Sequence, residues 1–274
     1  MNSVTYNVPV HLVPKYRGRR IIVRSSEPAE IAQQFADGDW DDVEYVQLLS
    51  AGIEPDTLSA LATVPVPLDI VISNPDSEFP LLYNFAKLRD RHDVRVTIPV
   101  APGFVKAVKL AASLHFAVKL DVGQPDKTQV AELAEVLDLY LHRSGISQPI
   151  EFFHTLFLSR FGGRPASLWE VQEEDPEYFR FVSDDGRESI SHRFGGAAPV
   201  NASGECAEPE GLEDSAQECS ACEYLSTCRG YFKWPDSSYD CDGVKSLFKT
   251  IDSAAMQLNE DVLAAAASGG GSQI

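Results

Sequence analysis

The stretch 94–142, VRVTIPVAPGFVKAVKLAASLHFAVKLDVGQPDKTQVAELAEVLDLYLH, holds two apolar runs of strand length, Val94 to Val100 and Phe116 to Val122, with helical stretches between and after them. From Thr128 to His142 the apolar residues Val130, Leu133, Leu137, Tyr140 and Leu141 share one helical face, and Asp126 or Thr128 is placed to cap its start. Strand, helix and strand in this order form the unit of a parallel sheet. Parallel strands cannot be joined by a tight turn, and the crossover helix covers the sheet as the chain returns.

Working outward, further apolar runs lie at Arg20 to Arg24, Val43 to Leu49 and Leu68 to Ser73, and another follows at Pro149 to Phe153. Five or six such units predict an α/β fold built as a partial or complete (β/α) barrel, with an open sheet as the alternative. After Phe161 the character changes. Gly162-Gly163-Arg164-Pro165 breaks any helix, and FRFVSDDGRESIS over 179–191 reads as a small hairpin turning at Asp185-Gly186. Residues 195–218 read as a loop, Val244 to Ala265 as a terminal helix, and ASGGGSQI as a disordered tail. The expected division is a barrel domain over 1–160, a small metal-binding domain over 161–267 and a tail over 268–274.

The chain carries 41 acidic against 23 basic side chains, a net charge of -18. That balance argues against nucleic acid or an anionic membrane as partner. No apolar stretch is long enough to span a bilayer. Met1 to Tyr16 lacks the basic start and apolar run of an export signal, so a cytoplasmic setting is expected. In that setting clustered cysteines are ligands more often than disulfides.

Cysteine is absent from the first 205 residues, and four of the five cysteines form Cys219-x2-Cys222-x5-Cys228-x12-Cys241. Thiolates are soft donors, and one tight knuckle with a returning segment suits an iron-sulfur cluster or a structural zinc ion. Spacing leaves both open. The wording Cys219-Ser-Ala-Cys222-Glu-Tyr-Leu-Ser-Thr-Cys228-Arg-Gly-Tyr-Phe232 resembles the signature of the SPASM domain, the C-terminal extension of many radical S-adenosylmethionine enzymes. That family's pattern is C-x2-C-x5-C-x3-C followed by a further cysteine, after a hairpin carrying G-x4-C, and complete domains hold two auxiliary 4Fe-4S clusters. Here Gly186 is followed by Ser191, and Phe232 stands at the fourth position. The resemblance, over about 179–245, implies that the cluster nearer the active site is lost. It further implies one 4Fe-4S cluster on Cys219, Cys222, Cys228 and Cys241, with zinc as the alternative.

Ser50-Ala51-Gly52-Ile53-Glu54-Pro55 looks like the G-G-E-P loop that in this family holds the methionyl amino group of the cofactor, so Gly52 and Glu54 are read as vestigial cofactor positions. The family's C-x3-C-x2-C is missing: the loop after the first strand read here is Arg24-Ser25-Ser26-Glu27-Pro28-Ala29. Without three thiolates there is no cluster to bind and reduce S-adenosylmethionine. The implied protein is a degenerate radical S-adenosylmethionine/SPASM relative, not a radical enzyme by itself. Its expected role is that of a partner subunit in peptide or cofactor maturation, passing electrons or presenting substrate to an active radical enzyme or handling a ribosomally made precursor peptide. Two other readings stay open: a zinc- or cluster-stapled binding scaffold, and a stand-alone enzyme using the barrel mouth near Glu54.

The remaining features read as ordinary. Cys206 is taken as a bystander and the six histidines as unpaired; Tyr231, Phe232 and Trp234 are expected to shield the metal group. The basic run Lys15 to Arg20 and the acids Asp39, Asp41 and Asp42 are expected to face water.

Overall fold

The computed structural model describes residues 4–162, 164–190 and 216–269. Among them β1 (Thr5–Pro9), β2 (Arg20–Ser25), β3 (Val43–Leu48), β4 (Leu68–Val71), β5 (Val94–Pro99), β6 (Ala117–Asp121) and β7 (Ile150–Glu151) run parallel, each beside its predecessor. β8 (Phe179–Val182) lies parallel on the other side of β1, and β9 (Glu188–Ser189) pairs antiparallel with it. A doubly wound sheet reverses its strand order at a switch point. The order β7-β6-β5-β4-β3-β2-β1-β8-β9 has no reversal, so the sheet winds one way as a barrel does. It remains partial, with β7 and β9 as its edges.

The crossovers are α1 (Val13–Tyr16), α2 (Pro28–Gln34), α3 (Pro75–Glu78), α4 (Phe104–Ser113) and α5 (Lys127–His142), with 3-10 turns over Pro55–Thr63 and Phe79–Asp90. Asp126 caps α5 in a reciprocal box with Gln129, which accounts for its sharp start. Its buried face is Leu133, Val136 and Leu137, while Tyr140 and Leu141 are half-buried. Beyond β7 come α6 (Phe153–Arg160), α7 (Leu168–Val171), α8 (Ala216–Ser220), α9 (Leu225–Cys228) and α10 (Asp242–Gly269).

Two expectations change. Strand β1 precedes the first apolar run recognised in the sequence, because Asn7 and Pro9 interrupt its apolar pattern. Asn7 is polar because it faces the barrel interior, and Pro9 is tolerated at the strand's end. Second, the hairpin β8-β9 belongs to the barrel's own sheet, so a division at residue 160 does not fall between two sheets; one continuous apolar core joins both parts.

The strands alternate, apart from an irregularity where β2 pairs with β3 at Ile21 and Ile22. Ile21 and Val23, Val46 and Leu48, Leu68 and Ile70, Val96 and Ile98, and Val118 and Leu120 are buried against the helices. Their neighbours Arg24, Gln47, Asp69, Arg95, Thr97 and Lys119 point to the opposite, concave face. The C-terminal segment packs on this frame through α10, whose Val244, Leu247, Phe248 and Ile251 are buried and whose Asp252 meets Arg160 of α6 at 2.8 Å.

Candidate functional site

The cysteine segment is a chain of short turns. Cys219 lies in α8, and the Cys222 N–H donates to the Cys219 carbonyl at 3.0 Å, closing the knuckle. Cys228 ends α9. Arg229 and Gly230 then both take left-handed backbone angles, φ 47° and 74°, which reverse the chain. For arginine this conformation costs about 1–2 kcal/mol. Asp175 holds the Arg229 guanidinium at 3.1 Å, and the Trp169 indole donates to the Arg229 carbonyl at 3.0 Å. The reversal aims the backbone N–H groups of Gly230, Tyr231 and Phe232 at the Cys228 sulfur. Cys241 returns just before α10, its thiol 3.8 Å from the Tyr239 carbonyl.

All four cysteines line one cavity, together with Phe232, Phe248, Tyr224, Val244 and the side chains of Glu218, Lys233 and Lys245. None is in a disulfide. Among the described residues no three Cys, His, Asp or Glu side chains are drawn close enough to hold a metal ion; the thiols share a cavity without closing on a point. Burial pushes the thiols of Cys219 and Cys228 up and that of Cys241 to about 11, so a metal would take the place of protons here. The donor set fits a thiolate-bound metal group. It provides four soft sulfurs, N–H groups aimed at one of them, and ammonium groups beside them.

The other sequence-predicted positions are dispersed. Phe232, at the fourth family position, is fully buried and lines the cavity; Tyr231 instead turns to the barrel, donating to the Val122 carbonyl at 2.8 Å. Gly186 sits in the β8-β9 turn at φ 84°, and Ser191, His192 and Cys206 lie outside the described residues. Gly52 and Glu54 are both exposed, and neither lines the barrel pocket. Counting β1 makes β2 the second strand, and only Ser26 and Glu27 lie between it and α2. The loop after the true first strand, Val10 to Arg19, contains no cysteine either. The basic run faces water, with Lys15, Arg19 and Arg20 exposed, and it also pairs within the chain: Arg17 reaches Asp39 at 3.3 Å, Arg20 reaches Glu44 at 2.6 Å, and the Gly18 N–H donates to Asp42 at 2.6 Å.

A second constellation went unread in the sequence. The concave face forms a pocket of about 380 Å³ in which Asn7, Arg24, Gln47, Thr97, Lys119, Asp121 and Glu173 stand beside the apolar Ile22, Leu49, Val71, Phe179 and Phe181. At its floor Glu173, a non-glycine residue at φ 60°, accepts from Lys119 at 2.6 Å, Arg95 at 2.9 Å and Tyr45 at 2.8 Å. Arg95 also pairs with buried Asp69 at 3.0 Å, and Thr97 and Gln47 donate to the same carboxylate at 2.9 and 3.1 Å. Burial alone would raise the Glu173 carboxyl, but Lys119 and Arg95 outweigh it and hold the group well below the usual carboxylate range. Burial, with Glu173 next, lifts the Tyr45 phenol well above its ordinary value, keeping it a donor. The signal was present: polar or charged residues at alternate positions of parallel strands, Arg95 and Thr97 in VRVTIP and Lys119 and Asp121 in AVKLD, where both faces are usually apolar.

The two sites are joined. Gln124, just past β6, donates to the carbonyls of Phe232 at 2.9 Å and Asp236 at 2.7 Å and accepts from the Asp236 N–H at 3.2 Å; Tyr239 donates to the Pro125 carbonyl at 2.7 Å. The cysteine segment is thereby seated at the C-terminal end of the strands.

No protein-family model matches the chain, and no curated protein matches it by sequence. Among solved structures the fold is similar to that of anSMEcpe. Native anSMEcpe with bound AdoMet superposes with a TM-score of 0.59 at 12% identity, over 92% of this chain and 88% of that chain. The same protein with AdoMet and the Cp18Cys peptide gives 0.56 at 11% identity, over 92% and 89%; with the Kp18Cys peptide it gives 0.56 at 11%, over 88% and 85%. No described helix is long and apolar enough to cross a membrane. At these identities the likeness establishes the fold. It is a mostly parallel α/β sheet whose strand order resembles a radical S-adenosylmethionine-like barrel.

Proposed function

We propose that this protein is a SPASM-like metalloprotein that does not generate radicals and serves as a partner subunit in peptide or cofactor maturation. In this reading it binds one 4Fe-4S cluster on Cys219, Cys222, Cys228 and Cys241 in the cytoplasm. The observation that carries it is the convergence of these four thiols on one cavity seated at the barrel's C-terminal end, in a chain that has no other cysteine but Cys206. A bound cluster would supply one-electron transfer. The chain's residues supply the rest: Phe232, Tyr224 and Phe248 exclude water, and the N–H groups after Cys228 favour a charged sulfur. Absence of the three-cysteine motif supports a role beside an active enzyme rather than as one, and the peptides bound to anSMEcpe support a peptide-handling setting.

Anaerobic purification followed by iron, sulfide and zinc analysis tests the reading. Brown protein with iron and sulfide near four each per chain, bleached reversibly by dithionite, is the expected result. Colourless protein with one zinc per chain would replace it by the staple reading, and metal-free protein would end both. Co-purification then asks whether a radical enzyme or precursor peptide travels with it.

The concave pocket favours one other reading, a stand-alone activity in the barrel. Its polar wall supports a small ligand at Arg24, Lys119 and Asp121 rather than near Glu54. Binding of small ligands that is lost in Lys119→Met, with the metal intact, would support it.

A further inference from the structure

A tetrathiolate group on Zn²⁺ or on an oxidised 4Fe-4S cube carries a net charge of about -2. Set against the aromatic and aliphatic wall of this cavity, such a charge is costly unless it is compensated. Two ammonium groups lie on the wall. Lys245 is a third exposed, but the Lys233 side chain is 6% exposed, and a lysine so buried requires a charged partner. Its carboxylate partner, Glu218 at 2.5 Å, is itself 57% exposed and so compensates it weakly; its other acceptor, the Tyr239 carbonyl at 2.8 Å, is neutral. Lys233 lines the same cavity as the four cysteines, and the Tyr239 carbonyl that its ammonium bonds also lies 3.8 Å from the Cys241 sulfur. An apolar side chain of the same length would fill this place without desolvating a charge.

Resting on the reading that the four cysteines hold a metal, we propose that Lys233 is the built-in counter-charge of that group. It is a positioning residue that stabilises the thiolate anion without ligating the metal. Glu218 opposes it. The two therefore act on the metal group with opposite sign, although they form one ion pair.

The test uses the full chain prepared anaerobically, in the wild type and in Lys233→Met, Lys233→Arg and Glu218→Gln. Metal content and release to EDTA are followed in each, with the midpoint potential added where the metal is iron. Lys233→Met is expected to release metal about tenfold faster. For an iron-sulfur cluster its potential falls by about 59 mV, the one-electron equivalent of tenfold. Glu218→Gln should move both readouts the other way, and Lys233→Arg should stay near the wild type. A plain structural tether would fail differently, since breaking it from either end would speed release in Lys233→Met and Glu218→Gln alike, and that result overturns the proposal. Should Lys233→Met not fold, the sign of the Glu218→Gln shift decides alone. A wild type that binds metal while neither variant shifts release or potential sinks this inference and leaves the metal reading standing; a wild type without metal removes both.

Discussion

Cys228 is the most enclosed of the four thiols in its bonding. The left-handed pair Arg229-Gly230 turns three consecutive N–H groups toward its sulfur, a surrounding that favours the thiolate once a metal displaces the proton. Cys222→Ser should accordingly abolish metal binding, and Cys206→Ser should leave metal per chain unchanged; equal loss in both would reassign the ligands. On the concave face, Glu173 is held ionised by Lys119 and Arg95. Glu173→Ala leaves buried Lys119 without a carboxylate partner, while Arg95 keeps Asp69, and should cost about 3–5 kcal/mol in urea unfolding. The pH sign follows from the depressed carboxyl. Its stabilisation is fully present above the unfolded value of about 4.5 and is lost as pH falls toward the lower folded value. Glu173→Gln should therefore narrow its deficit to the wild type as urea midpoints are measured from pH 7 down to pH 3. A constant deficit would show that the ion pairs contribute nothing. The cysteines were readable because ligand spacing is local; the Glu173 network was not, because its members come from five separate segments.

Among the elements, β5 and α4 meet at Gly103, whose φ is 90° and whose added Cβ would lie 2.5 Å from the Asp76 Cα. Both the backbone conformation and the contact forbid a side chain, so Gly103→Ala should destabilise by more than about 2 kcal/mol. Gly243→Ala is the contrast: its Cβ would meet only the Val130 methyl groups at 3.1 Å, which can shift, so its urea midpoint should change little. An equal effect at the two positions would contradict this account. Strands β2 to β7 and helix α5 were legible in the residues, since apolar periodicity is imposed by the helix layer they bury against. Strand β1 was not, because half of its side chains answer to a polar pocket and its pattern is broken by Asn7 and Pro9. That omission moved the loop count by one strand.

At the scale of the molecule, the cysteine segment depends on the barrel for its position. Gln124 gathers three hydrogen bonds from the return loop before Cys241. Gln124→Ala should leave the far-UV spectrum of the barrel intact while hastening protease cleavage over 233–241 and loosening the metal. Unchanged cleavage would mean that the segment holds itself. Stripping the proposed metal should likewise open that segment before the sheet, whose strands are held by backbone pairing. By itself the amino-acid order determined the alternation of strand and helix, the acidic surface, the missing three-cysteine motif and the four-cysteine spacing. Each of these is a matter of local periodicity or of residues close along the chain. Tertiary structure alone decided the rest. It set the one-way winding of the sheet, the place of β8 beside β1, the charged pocket within the barrel and the buried ammonium beside the thiols. Those arise from residues far apart in sequence, brought together when the helices and sheet bury their apolar faces.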